Sequence, residues 1–174
     1  MDRLIRAGAA FGIRPAGASA CDILDIEAGV PRPDRDYHPA SDGFATAPSP
    51  GSLSLESLID ERHLAFNGRN AWLAARGSEK AVLVGVEIDS ETPASFVPLS
   101  FSGATVGHTL TSVCSPVLRR AIALARIEKT LAVTGTELSL RLPLSLNSLE
   151  ERLVPARVVP LPFAAAPVAD RSQS

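Results

Sequence analysis

Glu27 is the acidic side chain whose position most strongly suggests chemistry in this 174-residue sequence. It lies near the carboxyl end of a predicted helix, where the helix macrodipole disfavours an anion by a few tenths to about 1 kcal/mol. A compensating partner is therefore expected, and a carboxylate can accept two parallel N–H donors at once. The alternative is a solvated acid on the surface of an amphipathic helix.

Two arginines lie in glycine-containing sequence that favours turns. Arg69 follows Gly68, so the backbone can bend tightly there and present a long cationic fork. Arg14 lies within the glycine-rich stretch 12–17. A surface or inter-domain ion pair is the alternative for Arg69, because arginine often bridges domains.

The remaining reactive side chains have simpler interpretations. Cys114 has no histidine or acid beside it in the sequence, which predicts a buried structural cysteine rather than a nucleophile. Ser112 and Ser115 are interpreted as turn residues. His108 alternates with apolar neighbours in an apparent strand, so its side chain is expected to point outward.

Composition excludes several function classes. The chain carries 17 basic and 19 acidic residues without a Lys/Arg block of the kind that binds nucleic acid or an anionic membrane surface. No apolar run is long enough for a membrane span, and the basic start lacks the apolar core of a secretory signal. Two isolated cysteines and three scattered histidines offer no zinc or iron–sulfur ligand set. A cytoplasmic protein without a bound metal is expected.

Two helices are predicted in the first part of the chain. Apolar spacing favours a helix over 18–28 that ends at Gly29. A second helix is expected over 68–75, with Trp72 in the core or in a domain contact. Between them, residues 29–51 are rich in proline, which indicates an irregular loop, and the charged run 34–36 is interpreted as solvated.

The second half has the texture of an all-β domain. Short β-rich runs separated by turns predict six strands, at 81–88, 96–101, 105–113, 122–128, 136–142 and 155–159. Six strands at this spacing favour a small closed or nearly closed barrel, and 116–120 is expected to form one helical turn. The predicted domains are therefore 1–76 and 77–163, followed by a disordered tail at 164–174.

Three stretches, taken in order, resemble the glycine-cleavage T-protein (aminomethyltransferase) family, which includes folate-dependent demethylases. The first is 12–29, where a glycine-rich turn precedes a helix ending in Ile26-Glu27-Ala28-Gly29. The second is 66–73, which resembles the family's Phe-x-Gly-Arg-x-Ala-Leu segment. The third runs from 84 to 138 and follows the order of the family's carboxyl-terminal barrel. The resemblance implies an α+β fold in which a partial folate-binding α/β subdomain precedes a six-stranded antiparallel β-barrel.

This resemblance also implies a cofactor and site residues. The cofactor would be tetrahydrofolate, with Glu27 accepting hydrogen bonds from the pterin, Arg69 near the aminobenzoyl-glutamate side, and Arg14 as a further contact. The family's catalytic aspartate lies in an amino-terminal region outside this chain, so the catalytic residues remain unknown. Cys21 and Asp25 occupy helix positions where the family often has arginine, which indicates a divergent branch.

The sequence therefore leads to two hypotheses. In the first, the chain is a subunit of a split complex that transfers a one-carbon unit to tetrahydrofolate. A second chain resembling the amino-terminal half of the family, or failing that a homodimer, would cover an apolar patch within residues 1–75. In the second, the chain is a non-catalytic folate-binding, scaffold or regulatory subunit of an oxidoreductase or demethylase complex.

Overall fold

A computed structural model of the chain describes residues 2–37, 48–60, 66–143 and 150–163. Within these ranges the helices are α1 (Asp2–Gly8), α2 (Ala18–Glu27) and α3 (Arg69–Ala75). Single 3₁₀ turns occupy Ala9–Phe11, Glu56–Leu58 and Lys129–Leu131. The two predicted helices are confirmed to within one residue at each end. The sequence analysis did not predict α1, although Leu, Arg and Ala are all strong helix formers.

Six antiparallel strands close into a barrel in the spatial order β1-β4-β3-β2-β5-β6, with β6 pairing back onto β1. The strands are β1 (Ala81–Ile88), β2 (Pro98–Phe101), β3 (Ala104–Ser115), β4 (Arg120–Glu128), β5 (Glu137–Pro143) and β6 (Glu151–Val159). The predicted α+β class and the six-stranded barrel are confirmed.

Alternation along the strands fills the barrel interior. In β5, Leu138, Leu140 and Leu142 are buried while the intervening side chains are exposed or half-buried, as expected for a strand with one face on a core. By contrast, β4 is buried almost continuously from Ala121 to Ala125. Its second face must therefore also be covered by other parts of the chain.

A second apolar cluster covers the outer face of β1, β3 and β4. It joins Ile26 of α2 to buried strand residues, and the chain after β6 adds Leu161 and Phe163. The full set of buried members is Ile26, Leu83, Leu110, Ile122 and Leu124. Because Ile26 is fully buried in this cluster, the end of α2 is fixed against the barrel.

Gly29 lets the chain leave α2 in this packed environment. Its φ of +70° lies in the left-handed region, and a Cβ there would lie 2.9 Å from the Cβ of Leu161. Next to it, the Phe163 N–H donates to the Glu27 carbonyl at 2.9 Å. The predicted C-cap position is therefore also a contact with the chain after β6.

Residues 116–119 form a tight hairpin turn between β3 and β4, in which the Arg119 N–H donates to the Ser115 carbonyl at 2.8 Å. This bond closes one helical turn, so that prediction is confirmed except that Arg120 already belongs to β4. Two other local predictions are wrong. Ser112 lies within β3 rather than in a turn. Cys114 is exposed rather than buried. Cys114 is the penultimate residue of β3, next to the turn at 116–119, so few elements remain there to cover its side chain.

Some predictions fall outside the described residues. These are the tail 164–174 and the part of the proline-rich loop at 38–47. The domain boundary near 76 stays a prediction. In the described part of the chain, no helix has the length and apolar character required to cross a membrane.

Candidate functional site at the junction of helix and barrel

The carboxylate of Glu27 lies between the last turn of α2 and the end of β3. Glu27 is 8% exposed, and its Oε1 accepts a hydrogen bond from the Ser115 hydroxyl at 2.5 Å. This bond joins residues 88 positions apart in the sequence. The barrel therefore supplies a hydrogen-bond donor of the kind expected for an acid at the carboxyl end of a helix.

Ser115 is held in a fixed orientation by the hairpin turn that follows it. Its hydroxyl oxygen accepts the Leu118 N–H at 3.0 Å, and the side chain is completely buried. A serine hydroxyl has one proton. Because the Ser115 oxygen accepts from Leu118, its own proton is free to be donated to Glu27. The interpretation of Ser115 as a turn residue was correct but incomplete, since the same hydroxyl also binds α2.

The structure does not join Arg14 or Arg69 to Glu27 by a hydrogen bond or an ion pair among the described residues. Arg69 is the first residue of α3 and half-buried, and Gly68 before it has a φ of +87°, which agrees with the predicted tight bend. Arg14 is exposed in the segment between the first 3₁₀ turn and α2. Their roles as folate ligands stay predictions.

Asp36 is a second buried carboxylate that the sequence analysis treated as part of a solvated run. Its side chain has no exposed surface, and it accepts hydrogen bonds from Arg35 Nη2 at 2.7 Å and Arg35 Nε at 2.9 Å. The Arg32 backbone N–H donates to the same carboxylate at 2.9 Å. The solvated interpretation is wrong for Asp36, because the loop folds back onto the barrel, whereas Asp34 is exposed as predicted.

A hydroxyl of β3 completes this arrangement. Thr111 donates to Asp36 Oδ1 at 2.6 Å, across 75 residues of sequence. The hydrophobic periodicity of the sequence gives no indication that Thr111 and Asp36 are in contact. The Arg32 and Arg35 guanidinium groups also pair with carboxylates on α2, at Asp22 and Asp25. The loop after α2 is therefore fastened both to the helix and to the barrel.

A known family model matches the barrel part of this chain. Residues 82–164 match the family model described as the glycine cleavage T-protein C-terminal barrel domain. This chain matches the carboxyl-terminal part of the glycine-cleavage T-protein family. The resemblance inferred from the sequence is thereby confirmed.

Curated proteins similar to this chain are much longer than it. A trimethylamine-oxide aldolase of Ruegeria pomeroyi is 34% identical over 160 residues, which cover 91% of this chain and 19% of that protein. An aminomethyltransferase of Moorella thermoacetica is 31% identical over 166 residues, covering 94% of this chain and 42% of that protein. The chain thus spans about two fifths or less of these relatives.

A solved structure has the same fold. The glycine cleavage system aminomethyltransferase T from Bartonella henselae superimposes with a TM-score of 0.71 at 21% identity, over 86% of this chain and 39% of that one. At this level of identity the likeness supports the fold alone.

At one end of the T-protein barrel lies an open groove of about 990 Å³. It is lined by four arginines and by four acids (Arg119, Arg120, Arg152, Arg157, Glu87, Asp89, Glu91 and Glu137). Arg120 pairs with Glu87 at 2.7 Å, and Arg157 pairs with Glu137 at 3.5 Å. Because the charges balance, the groove does not favour a ligand of one sign, and none of the predicted folate-site residues lines it.

Two other features of the described residues bear on possible chemistry. Among them, no group of three or more His, Cys, Asp or Glu side chains could hold a metal ion. Trp72 is buried as predicted, with the Arg76 guanidinium 5.1 Å from its ring centroid. Neither feature adds a reactive group to the site formed by Glu27 and Ser115.

Proposed function

We propose that this chain is a subunit of a cytoplasmic, tetrahydrofolate-dependent complex that transfers a one-carbon unit from an N-methyl, O-methyl, S-methyl or aminomethyl donor to tetrahydrofolate. The observation that supports it is the Glu27 carboxylate, held where the helix ending in Ile26-Glu27-Ala28-Gly29 meets a T-protein barrel. The trimethylamine-oxide aldolase and the aminomethyltransferase named above are enzymes, which fits a place in such a complex.

Glu27 has the chemistry needed to bind a pterin. A carboxylate offers about four lone-pair positions, and Ser115 uses one of them on Oε1. The remaining positions suit the adjacent amino and ring N–H groups of a pterin. Arg69 and Arg14 would then face the acidic aminobenzoyl-glutamate part of the cofactor, where a guanidinium pairs well with carboxylates.

The chemical step would depend mainly on positioning. Tetrahydrofolate, when bound, supplies the nitrogen that receives the one-carbon unit. Glu27 would orient the pterin and so fix that nitrogen against the donor carbon, which can contribute much of a rate enhancement. Proton transfer would fall to a carboxylate of the partner, so this chain would be necessary but not catalytic by itself.

The partner we propose is a second polypeptide resembling the amino-terminal part of the T-protein family. One observation supports it. Large apolar side chains are exposed in and after α1, including Leu4 at 69% and Phe11 at 90%. A homodimer that covers the same surface is the alternative arrangement.

A specific observation also favours a second function. Because Glu27 is buried and already accepts the Ser115 hydroxyl, it has a structural role that needs no folate. A scaffold or regulatory subunit that retains the T-protein fold without the chemistry, within an oxidoreductase or demethylase complex, would keep the same bond.

Titration with tetrahydrofolate distinguishes these functions. The protein, co-expressed with candidate partners, would be titrated as wild type, as Glu27→Gln and as Glu27→Ala. We expect the substitutions to weaken binding by at least about 1.5 kcal/mol, the low end for a hydrogen bond to a charged group. Glu27→Gln is the sharper variant because its amide oxygen can still accept from Ser115, which preserves the helix contact.

Arg141→Ala is the matched control. Arg141 is an exposed side chain on β5, on the other side of the closed barrel from β3 and β4, and its nearest carboxylate lies 4.0 Å away. Its loss should leave the affinity unchanged. Equal affinity of wild type and Glu27→Gln would remove Glu27 from the site, and a wild-type complex without affinity for tetrahydrofolate would favour the scaffold function.

A further inference from the structure

The hydrogen bond between Glu27 and Ser115 is the last step of a short relay that begins in the β3–β4 turn. The Leu118 N–H donates to the Ser115 hydroxyl oxygen at 3.0 Å, and the hydroxyl donates to Glu27 Oε1 at 2.5 Å. The Leu118 N–H and the Ser115 hydroxyl each carry one proton, and each donates it to one acceptor. The direction of the Ser115 hydroxyl is therefore set by the turn, and the position of the carboxylate is set by the hydroxyl.

Burial makes this relay effective. Ser115 is 0% exposed and Glu27 is 8% exposed, so water competes weakly for either group. A glutamate side chain has three rotatable bonds, and a free carboxylate at a helix carboxyl end would also be disfavoured by the macrodipole. The barrel hydroxyl offsets that cost and selects one orientation of the carboxylate.

We infer that Ser115 is a positioning residue for ligand recognition by Glu27. By occupying one lone pair of Oε1, its hydroxyl turns the rest of the carboxylate toward a ligand with two adjacent N–H donors, the pattern that a pterin presents. Holding the carboxylate before the ligand arrives reduces the ordering cost of binding. This inference rests on the proposed function, and it adds that the β3–β4 turn of the barrel controls how well the helix residue binds the cofactor.

Ser112 provides a matched control on the same strand. It is also buried, at 8% exposure, and its hydroxyl donates to the Ile122 carbonyl at 2.9 Å rather than to Glu27. Ser112→Ala therefore removes a buried hydroxyl from β3 without touching the relay. A general effect of losing such a hydroxyl would appear equally in both serine variants.

The test is tetrahydrofolate titration of the complete chain in its complex, carried out for Ser115→Ala, Ser115→Thr and Ser112→Ala. We expect Ser115→Ala to bind about tenfold more weakly. Ser115→Thr, which keeps a hydroxyl, should stay within about threefold of wild type, as should Ser112→Ala. In a Glu27→Ala background, Ser115→Ala should produce no further loss, because a residue that acts through the Glu27 side chain has no effect once that side chain is removed.

Each possible result either supports or contradicts the positioning role of Ser115. Wild-type affinity in Ser115→Ala, an equal loss in Ser112→Ala, or full additivity with Glu27→Ala would overturn the positioning role while leaving the proposed function in place. A wild type that does not bind tetrahydrofolate would instead refute the proposed function and this inference with it. If Ser115→Ala does not fold, Ser115→Cys replaces it, because a thiol is a much weaker donor. Wild-type affinity in that variant would also overturn the inference.

Discussion

Two carboxylates are buried beside the barrel, and each accepts a hydrogen bond from a hydroxyl of β3. Ser115 donates to Glu27, and Thr111 donates to Asp36. Both hydroxyls reach groups on α2 or on the loop after it, so the two side chains leave the same face of the sheet. At the scale of single residues, β3 therefore presents a row of neutral donors that stabilises anions on α2 and on the loop after it.

Asp36 and Thr111 join the loop after α2 to the barrel. A substitution at Asp36 should lower the unfolding free energy more than a substitution at Thr111. Asp36→Asn replaces a carboxylate oxygen with an amide N–H₂ group that cannot accept from Arg35, so we expect a loss of about 2 kcal/mol of unfolding free energy. Thr111→Val removes one of several donors to Asp36 and should cost about 1 kcal/mol. Denaturant unfolding of both variants measures the difference, and a larger loss in Thr111→Val would contradict this account of the contact.

At the scale of elements, the barrel is closed partly by a segment that is not a strand. Because β6 pairs with β1 only from Gly85 to Ile88, the earlier part of β1 lacks a strand neighbour on that side. Ser52 and Ser54 replace it: the Leu83 N–H donates to the Ser52 carbonyl at 2.9 Å, and the Ser54 hydroxyl donates to the Leu83 carbonyl at 2.7 Å.

Glu79 anchors the same segment and makes it sensitive to acid. Its carboxylate accepts from Ser49 at 3.2 Å and pairs with Lys129 at 3.1 Å. A hydrogen bond from its own backbone, followed by the Lys129 ammonium, holds the pKa of Glu79 below its ordinary value of 4.5, although burial acts in the opposite direction. A lowered pKa in the folded state stabilises the fold above the ordinary pKa, and this stabilisation is lost as the pH falls through the folded value.

Thermal melts of wild type and Glu79→Gln between pH 7 and pH 3 test this anchor. We expect wild type to be more stable at neutral pH, with the difference shrinking on acidification below about pH 4.5, because protonated Glu79 resembles glutamine. Glu128→Gln, a change of an exposed acid on β4, is the control for the loss of one negative charge. A difference between wild type and Glu79→Gln that is constant from neutral pH to pH 3 would refute the role of the ionised carboxylate.

At the scale of the whole molecule, the barrel is well packed whereas α1 and the 3₁₀ turn after it are exposed. α1 contains no buried residue, and Phe11 after it is 90% exposed. An aromatic side chain in water contributes little to the stability of its own chain. Its apolar surface is instead suited to association, which is what the proposed partner requires.

Phe11→Asp should separate folding from association. We expect its unfolding free energy to stay within about 0.5 kcal/mol of wild type, because the side chain is nearly free of protein contacts. Association with the partner, or self-association measured by light scattering over a concentration series, should weaken. Val133→Asp, at 62% exposure before β5, is the matched control and should leave association intact. Equal association in both variants would remove this surface from the interface.

The sequence by itself determined the local elements of this protein and the resemblance to the T-protein family. Strand alternation and turn residues are local properties of the chain, so β1 was predicted with its observed bounds and α2 to within one residue. The order of the motifs indicated the family resemblance because each motif is also a local property of a short stretch of sequence.

Only the tertiary structure decided which distant groups meet. Glu27 and Ser115 are 88 positions apart, and Asp36 and Thr111 are 75 apart, so no local pattern couples them. Periodicity reports that a side chain faces inward or outward but not what lies opposite it. Closing the barrel and docking α2 on its outer face select those pairs, and for this reason the local sequence alone predicts the wrong burial for Asp36 and Cys114.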